Sequence, residues 1–570
     1  MTAWLRERLS GGWLILATSV MVVAYLALVP LGTLLYSSFR DAPPGEPAAS
    51  LTLANYLDVY LDAEFYRLLG NSLLFTFGNC LLTLVIGTYL AWVYVRTNTP
   101  LKHAFAVLAV LPFIVPGVLG AIAWVFLLSP KIGLVNRWAM ETFGLAQPLI
   151  NLYTFPGMIV TQAFHGYPIV FLAMTAALKS MDTSLEEASL MSGASHWTSF
   201  RRVTLRLMRP AILSIMLIMF IRGIELFEVP AIVGLPAGIE VFTTKIYLAI
   251  REIPASYGKA STMAVILVLI SLAGAALYRR ATARAERFAT VTGKGYRPAV
   301  IDLGRWKYLH MALCLLFFAV VVVLPLAVLV WSSLLPFYRP PSAEALRQLT
   351  LKNYGFVLSL PAAGRAIQNS LLLALGTPTI VMSLAAVLAW ITVKSRLPGR
   401  ALVDQLTFLP VAYPGIVVGI SLIWVYLVLP LPFSIYGTVW ILLVAYITKF
   451  IPWGQRFTSA VMIQIHREIE EASETSGATW GQTFRRILLP LIMPGFVAGW
   501  IFLAIISLRE LSTSILLYAH GSEVVSILVF DLWESGQYPH VAALGVLVVA
   551  VLLVLAVIAY RVGGRLAVIN

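Results

Sequence analysis

Cysteine is almost missing from this 570-residue chain: there are two, Cys80 and Cys314, each inside a separate apolar run. A secreted disulfide framework is thereby excluded, and both residues read as small buried hydrophobes. Charge is scarce too, at 12% of residues against about 25% in an average soluble domain. Acidic side chains are the rarer sign, 26 against 40 Lys and Arg. Catalytic signatures are lacking: there is no His-Glu zinc helix, no Gly-x-Ser-x-Gly elbow and no cysteine pair at metal spacing. Intramembrane hydrolysis has no support, and no metal site is assigned.

What the chain has instead is apolar length, with 60% of its residues hydrophobic. At about 20 residues per helical crossing, runs near 13–36, 71–95, 104–128, 155–178, 210–235 and 260–278 read as six spans. A second six lie near 308–333, 369–393, 402–429, 436–461, 494–518 and 541–560. Arg6 and Arg8 before the first run imitate a secretory signal, but that run is too long and has no small-x-small cleavage site. It is read as a retained first helix. With the N-terminus inside, the cytoplasmic segments collect 25 of the 40 basic residues and the external loops 11. This satisfies the positive-inside rule, puts both termini in the cytoplasm and leaves no surplus for nucleic acid to explain.

The chain also repeats itself. A shift of 298 residues sets Asn55-Tyr56 on Asn353-Tyr354, Asn71-Ser72-Leu73 on Asn369-Ser370-Leu371, Ala91-Trp92 on Ala389-Trp390, and Pro116-Gly117 on Pro414-Gly415. After a longer loop in the first copy the shift drops to 284, and Pro168 meets Pro452. Two tandem repeats, 1–278 and 308–570, are expected about a central seam, joined by a cytoplasmic linker, 279–307. The linker's Thr292-Gly293-Lys294-Gly295 imitates a phosphate-binding loop, but Phe288 stands where its first glycine belongs and Gly295 where Ser or Thr does. No nucleotide site is encoded there.

The most informative segments follow the fourth span of each repeat. The first reads Glu186-Glu187-Ala188-Ser189-Leu190-Met191-Ser192-Gly193 and the second Glu470-Glu471-Ala472-Ser473-Glu474-Thr475-Ser476-Gly477; both continue through a Trp (Trp197, Trp480) to Phe-Arg-Arg. Each predicts a short helix stopped at a left-handed glycine and then a second short helix. Capping boxes are expected from Ser184 with Glu187 and from Thr479 with Gln482. These loops, about 180–209 and 464–493, resemble the Glu-Ala-Ala signature of permease subunits of binding-protein-dependent ABC importers. The second copy matches everywhere except Ser473; in the first, Ser189, Val203 and Arg206 depart from the pattern. The fused form is most similar to iron(III) importer permeases of the ferric-binding-protein type.

The resemblance implies an all-α polytopic membrane protein with about twelve transmembrane helices in two six-helix repeats of the type I ABC importer permease fold. It implies a bacterial inner-membrane location, two copies of a cytoplasmic ABC ATPase, and a periplasmic solute-binding protein. ATP would be bound by the partner subunits, so no cofactor and no enzymatic activity are assigned to this chain. The loops would be coupling helices, with Glu187, Ala188, Gly193, Trp197, Arg201 and Arg202 in the first, and Glu471, Ala472, Gly477, Trp480, Arg485 and Arg486 in the second. Trp197 and Trp480 would anchor in the ATPase, Phe200 and Phe484 would turn back to the membrane helices, and the Glu and Arg residues would set orientation through ion pairs.

Ionisable residues inside a span cost at least about 2.5 kcal/mol each to insert and so mark function by default. The fifth span holds Arg222, Glu225 and Glu228 at spacings of three, which predicts one helical face; the eleventh holds Arg509-Glu510. Glu228 and Glu510 are expected to face each other across the seam with Arg222 and Arg509 as neutralising partners, forming either a route for a hard cation or a structural ion-pair network. His165 and Tyr167 in the fourth span are further pathway candidates, and Lys449 stands in the place of His165 in the second repeat. Ferric iron is the expected solute. Thiamine, polyamine and phosphonate permeases share the loop signature, and a secondary transporter would also have twelve spans but no need of two such loops.

Overall fold

A computed structural model describes residues 2–46, 50–181, 184–285, 300–429 and 434–568. The first half consists of α1 (Thr2–Ser38), α2 (Ala63–Arg96), α3 (Lys102–Ile114), α4 (Gly117–Leu128), α5 (Phe155–Ser180), α6 (Ser184–Met191), α7 (Leu205–Ile224), α8 (Phe242–Arg251) and α9 (Tyr257–Ala285). The second half repeats this order. It runs through α10 (Trp306–Ser333), α11 (Pro361–Ala389), α12 (Arg400–Phe408), α13 (Gly415–Val428), α14 (Val439–Met462), α15 (Arg467–Thr475), α16 (Leu489–Leu508), α17 (Val525–Glu534) and α18 (Tyr538–Val568). Among the described residues the only β pairings are two isolated bridges. Nine described helices are long and apolar enough to cross a membrane, or up to twelve if each bent pair is one span. α14 has the length but carries Lys449, Gln455 and Arg456 and is not one of the nine.

Two spans of each half are interrupted, the third at the Pro-Gly pairs whose sequence predicts a break and the fifth against the hydropathy reading. The third of each half is broken, with α3 and α4 meeting at 102° and the α12 and α13 segments at 108°. Pro116 and Pro414 cause the break: each lacks an N–H and pushes the residue before it, Val115 or Tyr413, into extended backbone. The fifth span stops early. α7 ends at Ile224 and α16 at Leu508, so Glu225 and Arg509 cap helices while Glu228 and Glu510 lie beyond them. Arg222, Glu225 and Glu228 therefore do not share one helical face. The carbonyls freed by the turn are satisfied by hydroxyls: Thr243 donates to the Leu226 oxygen at 2.7 Å and Ser526 to the Glu510 oxygen at 2.6 Å.

Local hydrogen bonds repeat with the sequence. Asn55 donates to the carbonyls of Ser38 and Arg40, and Asn353 to those of Ser333 and Leu335. Tyr56 meets Ser38 at 2.7 Å and Tyr354 meets Ser333 at 2.7 Å. Helix crossings repeat too. A methyl on Gly87 would come within 2.6 Å of Val170 where α2 crosses α5, and one on Gly454 within 2.6 Å of Val381 and 3.3 Å of Ala385 where α11 crosses α14. Residue 87 corresponds to 385, and 170 to 454. The same crossing thus puts its glycine on opposite partners in the two halves, because close approach needs one small residue and not a particular one.

The halves interlock through their first helices. α1 packs on α9 of its own half and on α12 and α13 of the other, and α10 packs on α18 and on α3 and α4. Tyr413 donates to the Ala27 carbonyl at 2.8 Å, and the Tyr25 and Tyr426 hydroxyls meet at 2.8 Å. Reciprocally, Tyr338 stacks on Phe126, centroids 4.6 Å apart, and donates to its carbonyl. The broken helices are thereby clamped at the seam.

Candidate functional site: loop mounts and central seam

Both projecting loops have the expected helix, left-handed glycine and second short helix. Gly193 has φ +83° and Gly477 φ +82°, values at which a Cβ is penalised. Thr479 and Gln482 form the full capping box, with bonds of 3.4 and 2.8 Å. The box expected at Ser184 borders residues 182 and 183, outside the described residues.

The residue that mounts each loop is the glutamate before the signature. Glu186 is buried and ion-paired to buried Arg96 at the end of α2, and it also accepts a hydrogen bond from Thr204. Glu470 lies 3.7 Å from Lys394 just beyond α11 and accepts from the Trp390 indole at 3.3 Å. Sequence reasoning passed over Glu186 and Glu470 for Glu187 and Glu471, although the matching bases, Arg96 and Lys394, stand 298 residues apart. Glu187 is exposed, and Glu471 makes a 3.6 Å pair with Arg467 within its own helix. Arg201, Arg202, Arg485 and Arg486 are exposed and enter no ion pair among the described residues. Ala188, Ala472, Gly193 and Gly477 are exposed as well. Trp480 is also exposed, with its ring 5.0 Å from Trp390 and 5.1 Å from Phe484. The side chain of Trp197 lies outside the described residues.

The described end of the linker joins the first mount. Ile301 donates to the Arg96 carbonyl at 2.8 Å, and Asn98 donates to Asp302 while accepting from the Leu303 N–H at 3.1 Å. The Gly304 N–H and the Asn98 amide hold the Asp302 carboxyl below the usual carboxylate range. The Thr292 to Gly295 stretch falls outside the described residues.

At the seam, charge from both halves converges. From the first come Arg222, Glu225, Glu228 and His165, and from the second Lys449, Arg509 and Glu510. Three acids face three bases, so the group carries no net charge with His165 neutral. Glu510 is neutralised by Lys449 at 2.9 Å, and the same carboxylate oxygen accepts from the Thr513 N–H at 3.0 Å and hydroxyl at 2.8 Å. Lys449, not an arginine, is therefore its partner. Arg509 crosses instead to the first half, where it donates to the Phe113 carbonyl and to His165 Nε2 at 2.9 Å and lies 5.0 Å from the Phe113 ring centre. Because a guanidinium only donates, Nε2 accepts and the imidazole is the neutral Nδ1–H tautomer. Glu228 accepts from Ser512 at 3.3 Å. Glu225 feels Lys449, Arg222, Glu510 and Glu228, but neither it nor Arg222 forms an ion pair among the described residues. Glu228 and Glu510 thus reach the seam without touching, and Tyr167 packs on Phe317 away from this group.

Both broken helices start at the seam. A methyl on Gly117, the first residue of α4, would lie 3.6 Å from His165 and 3.7 Å from Glu228; one on Gly415, the first of α13, would lie 2.7 Å from Lys449 and Thr513. Neither helix start has a side-chain cap; the positive end of α4 faces the Glu228 carboxylate, whereas that of α13 faces the Lys449 ammonium.

Two interlocked six-helix repeats, each with a mounted loop and a broken helix at a polar seam, define a membrane permease. The chain belongs to the family described as binding-protein-dependent transport system inner membrane component, whose model matches residues 83–287 and 363–567. It is similar to the putative ferric transport system permease protein FbpB 1 of Haemophilus influenzae, 26% identical over 528 residues covering 89% of this chain and 78% of that protein. It is also similar to the ferric transport system permease protein FbpB of Actinobacillus pleuropneumoniae, 24% identical over 543 residues covering 94% and 76%. The sulfate transport system permease protein CysT of Escherichia coli is 30% identical over 258 residues, 43% of this chain and 88% of that protein.

Proposed function

We propose that this chain is the membrane pathway of an ATP-driven importer of ferric iron, receiving it from a periplasmic binding protein and working with two copies of a cytoplasmic ABC ATPase. The duplicated loop mount is the observation that carries the importer reading. Each loop leaves a pair of arginines exposed, with no ion pair among the described residues, while an acid at its base ties it to a membrane helix, as a surface that must grip a partner and transmit its movement requires. The path inward is continuous. Loop movement reaches α2 and α11 through Glu186–Arg96 and Glu470–Lys394, then α5 and α14 through the glycine crossings, and so His165 and Lys449 at the seam. Rocking of the halves would open the seam to one side at a time.

Ferric iron is supported by relatives that match along both halves and by carboxylates at the seam, since a hard trivalent cation takes oxygen ligands. Its test is a titration of the cognate binding protein with Fe(III), sulfate, thiamine, a polyamine and an aminoalkylphosphonate. Binding of Fe(III) alone supports the reading; selective binding of another solute overturns iron and leaves the importer.

A further inference from the structure

Lys449 holds an unusual place among the seam charges. Its ammonium sits 2.9 Å from Glu510 and also lies in the field of Glu225 and Glu228, so acids of both halves act on it. It packs over the first residue of α13, where even a methyl on Gly415 would come within 2.7 Å. A helix start is the positive end of its dipole and repels a cation. The ammonium is therefore held there by the carboxylates against the local backbone field. The repeat-equivalent residue, His165, is neutral and holds no acid; it accepts from Arg509 instead. Among the described residues no three or more His, Cys, Asp or Glu side chains stand ready together for a metal ion. Beside Glu510, the positive charge is supplied by a side chain.

We propose that Lys449 is a tethered counter-cation: it occupies the seam's cation position when no solute is there, and a hard multivalent cation must displace it to reach Glu510. The inference rests on the importer reading and narrows its seam to cations. The lysine would keep a charge-lined route from binding stray cations between transport events, and the incoming ion would take over the neutralisation of Glu510 as the lysine swings off it.

The experiment uses Tb(III), a hard trivalent probe whose luminescence is sensitised by nearby aromatic rings; the hydroxyl of Tyr446 is 3.2 Å from the Glu510 carbonyl. Titrated into the purified full chain in detergent, Tb(III) is expected to bind Lys449→Met at a saturable site at least about ten-fold tighter than any in the wild type. Adding Glu510→Gln should abolish that site, and Lys449→Arg should behave as wild type. Should Lys449→Met not accumulate folded, Lys449→Gln, which keeps a donor for Glu510, carries the same expectation. Identical titrations for wild type and the neutral variant, or a site that survives Glu510→Gln, overturn the proposal. The two readings fail separately: a binding protein selective for an organic solute discards iron whatever Tb(III) does, and unchanged Tb(III) binding discards the role of Lys449 whatever the binding protein takes.

Discussion

Ser512 donates a hydrogen bond of 3.3 Å to Glu228, and the two residues are repeat equivalents. The equivalence is structural as well as numerical. α7 and α16 end 284 residues apart, and the carbonyls of Leu226 and Glu510, also 284 apart, each accept from a hydroxyl of the following short helix. A residue can touch its own counterpart only near the pseudo-two-fold axis. Ser512→Glu would place two carboxylates there, and like charges repel strongly where water is excluded. The variant is expected to insert normally but to hold the halves apart at this point. A disulfide cross-link engineered across the axis between positions 229 and 513 should form less readily in it than in the wild-type background, whereas Ser512→Ala should leave the yield unchanged.

The loop mounts give a second prediction. Arg96 and Glu186 are both buried, so removing one leaves the other charged and unpaired, at a cost of about 3–5 kcal/mol. Arg96→Met should lower the unfolding temperature and abolish stimulation of the partner ATPase by loaded binding protein. The second mount is longer at 3.7 Å and its two side chains are less deeply buried than those of the first. Lys394→Met should therefore be the milder lesion in a thermal melt.

Much of this was legible in the sequence. The left-handed glycines and the capping box at Thr479 follow from short-range pattern, where one residue type answers one local need, and the repeats from the recurrence of such patterns at a fixed shift. What escaped has long-range causes. The apolar run resumes beyond Arg222, Glu225 and Glu228, so the fifth span was read through them to 235; the hydroxyl that stabilises the turn after Ile224, Thr243, lies further along the chain. Glu186 and Glu187 are neighbours of one type, and only Arg96, 90 residues earlier, decides which is the mount. Lys449 was visible as the counterpart of His165, yet its pairing with Glu510 depends on two helices meeting.

Gly477 supplies the third prediction. Nothing lies within 4 Å of a methyl built on it, so the Cβ of Gly477→Val stands in open space and the variant pays chiefly for φ +82°, about 1–2 kcal/mol. Membrane insertion should be intact while the second short helix is re-aimed, uncoupling ATP hydrolysis from uptake. Wild-type coupling in reconstituted vesicles would remove the loop from the transmission path.

The linker strap should be indifferent to physiological pH. Asp302 has a depressed folded-state value, so its contribution is complete above the ordinary aspartate range and is lost only as pH falls below it. Hydrogen exchange at the Leu303 amide, which is bonded to Asn98, should be equally protected at pH 6 and pH 8 after correction for intrinsic rates. Asn98→Ala should remove that protection at both.

The glycine exchange between the two crossings makes a prediction about packing itself. Gly87→Ala drives a methyl to 2.6 Å from Val170 Cβ and 2.9 Å from the Phe171 backbone nitrogen, and overpacking of this kind costs about 1–3 kcal/mol. The second half already contains the remedy, since Ala385 and Gly454 occupy the equivalent positions. Adding Val170→Gly to Gly87→Ala copies that solution into the first half. The single variant should melt several degrees below wild type, and the double variant should recover much of the loss despite an additional helix-interior glycine, which by itself costs about 1 kcal/mol. If the double variant is less stable than the single, the crossing of α2 and α5 is set by the shape of Val170 and not by the approach of the two backbones.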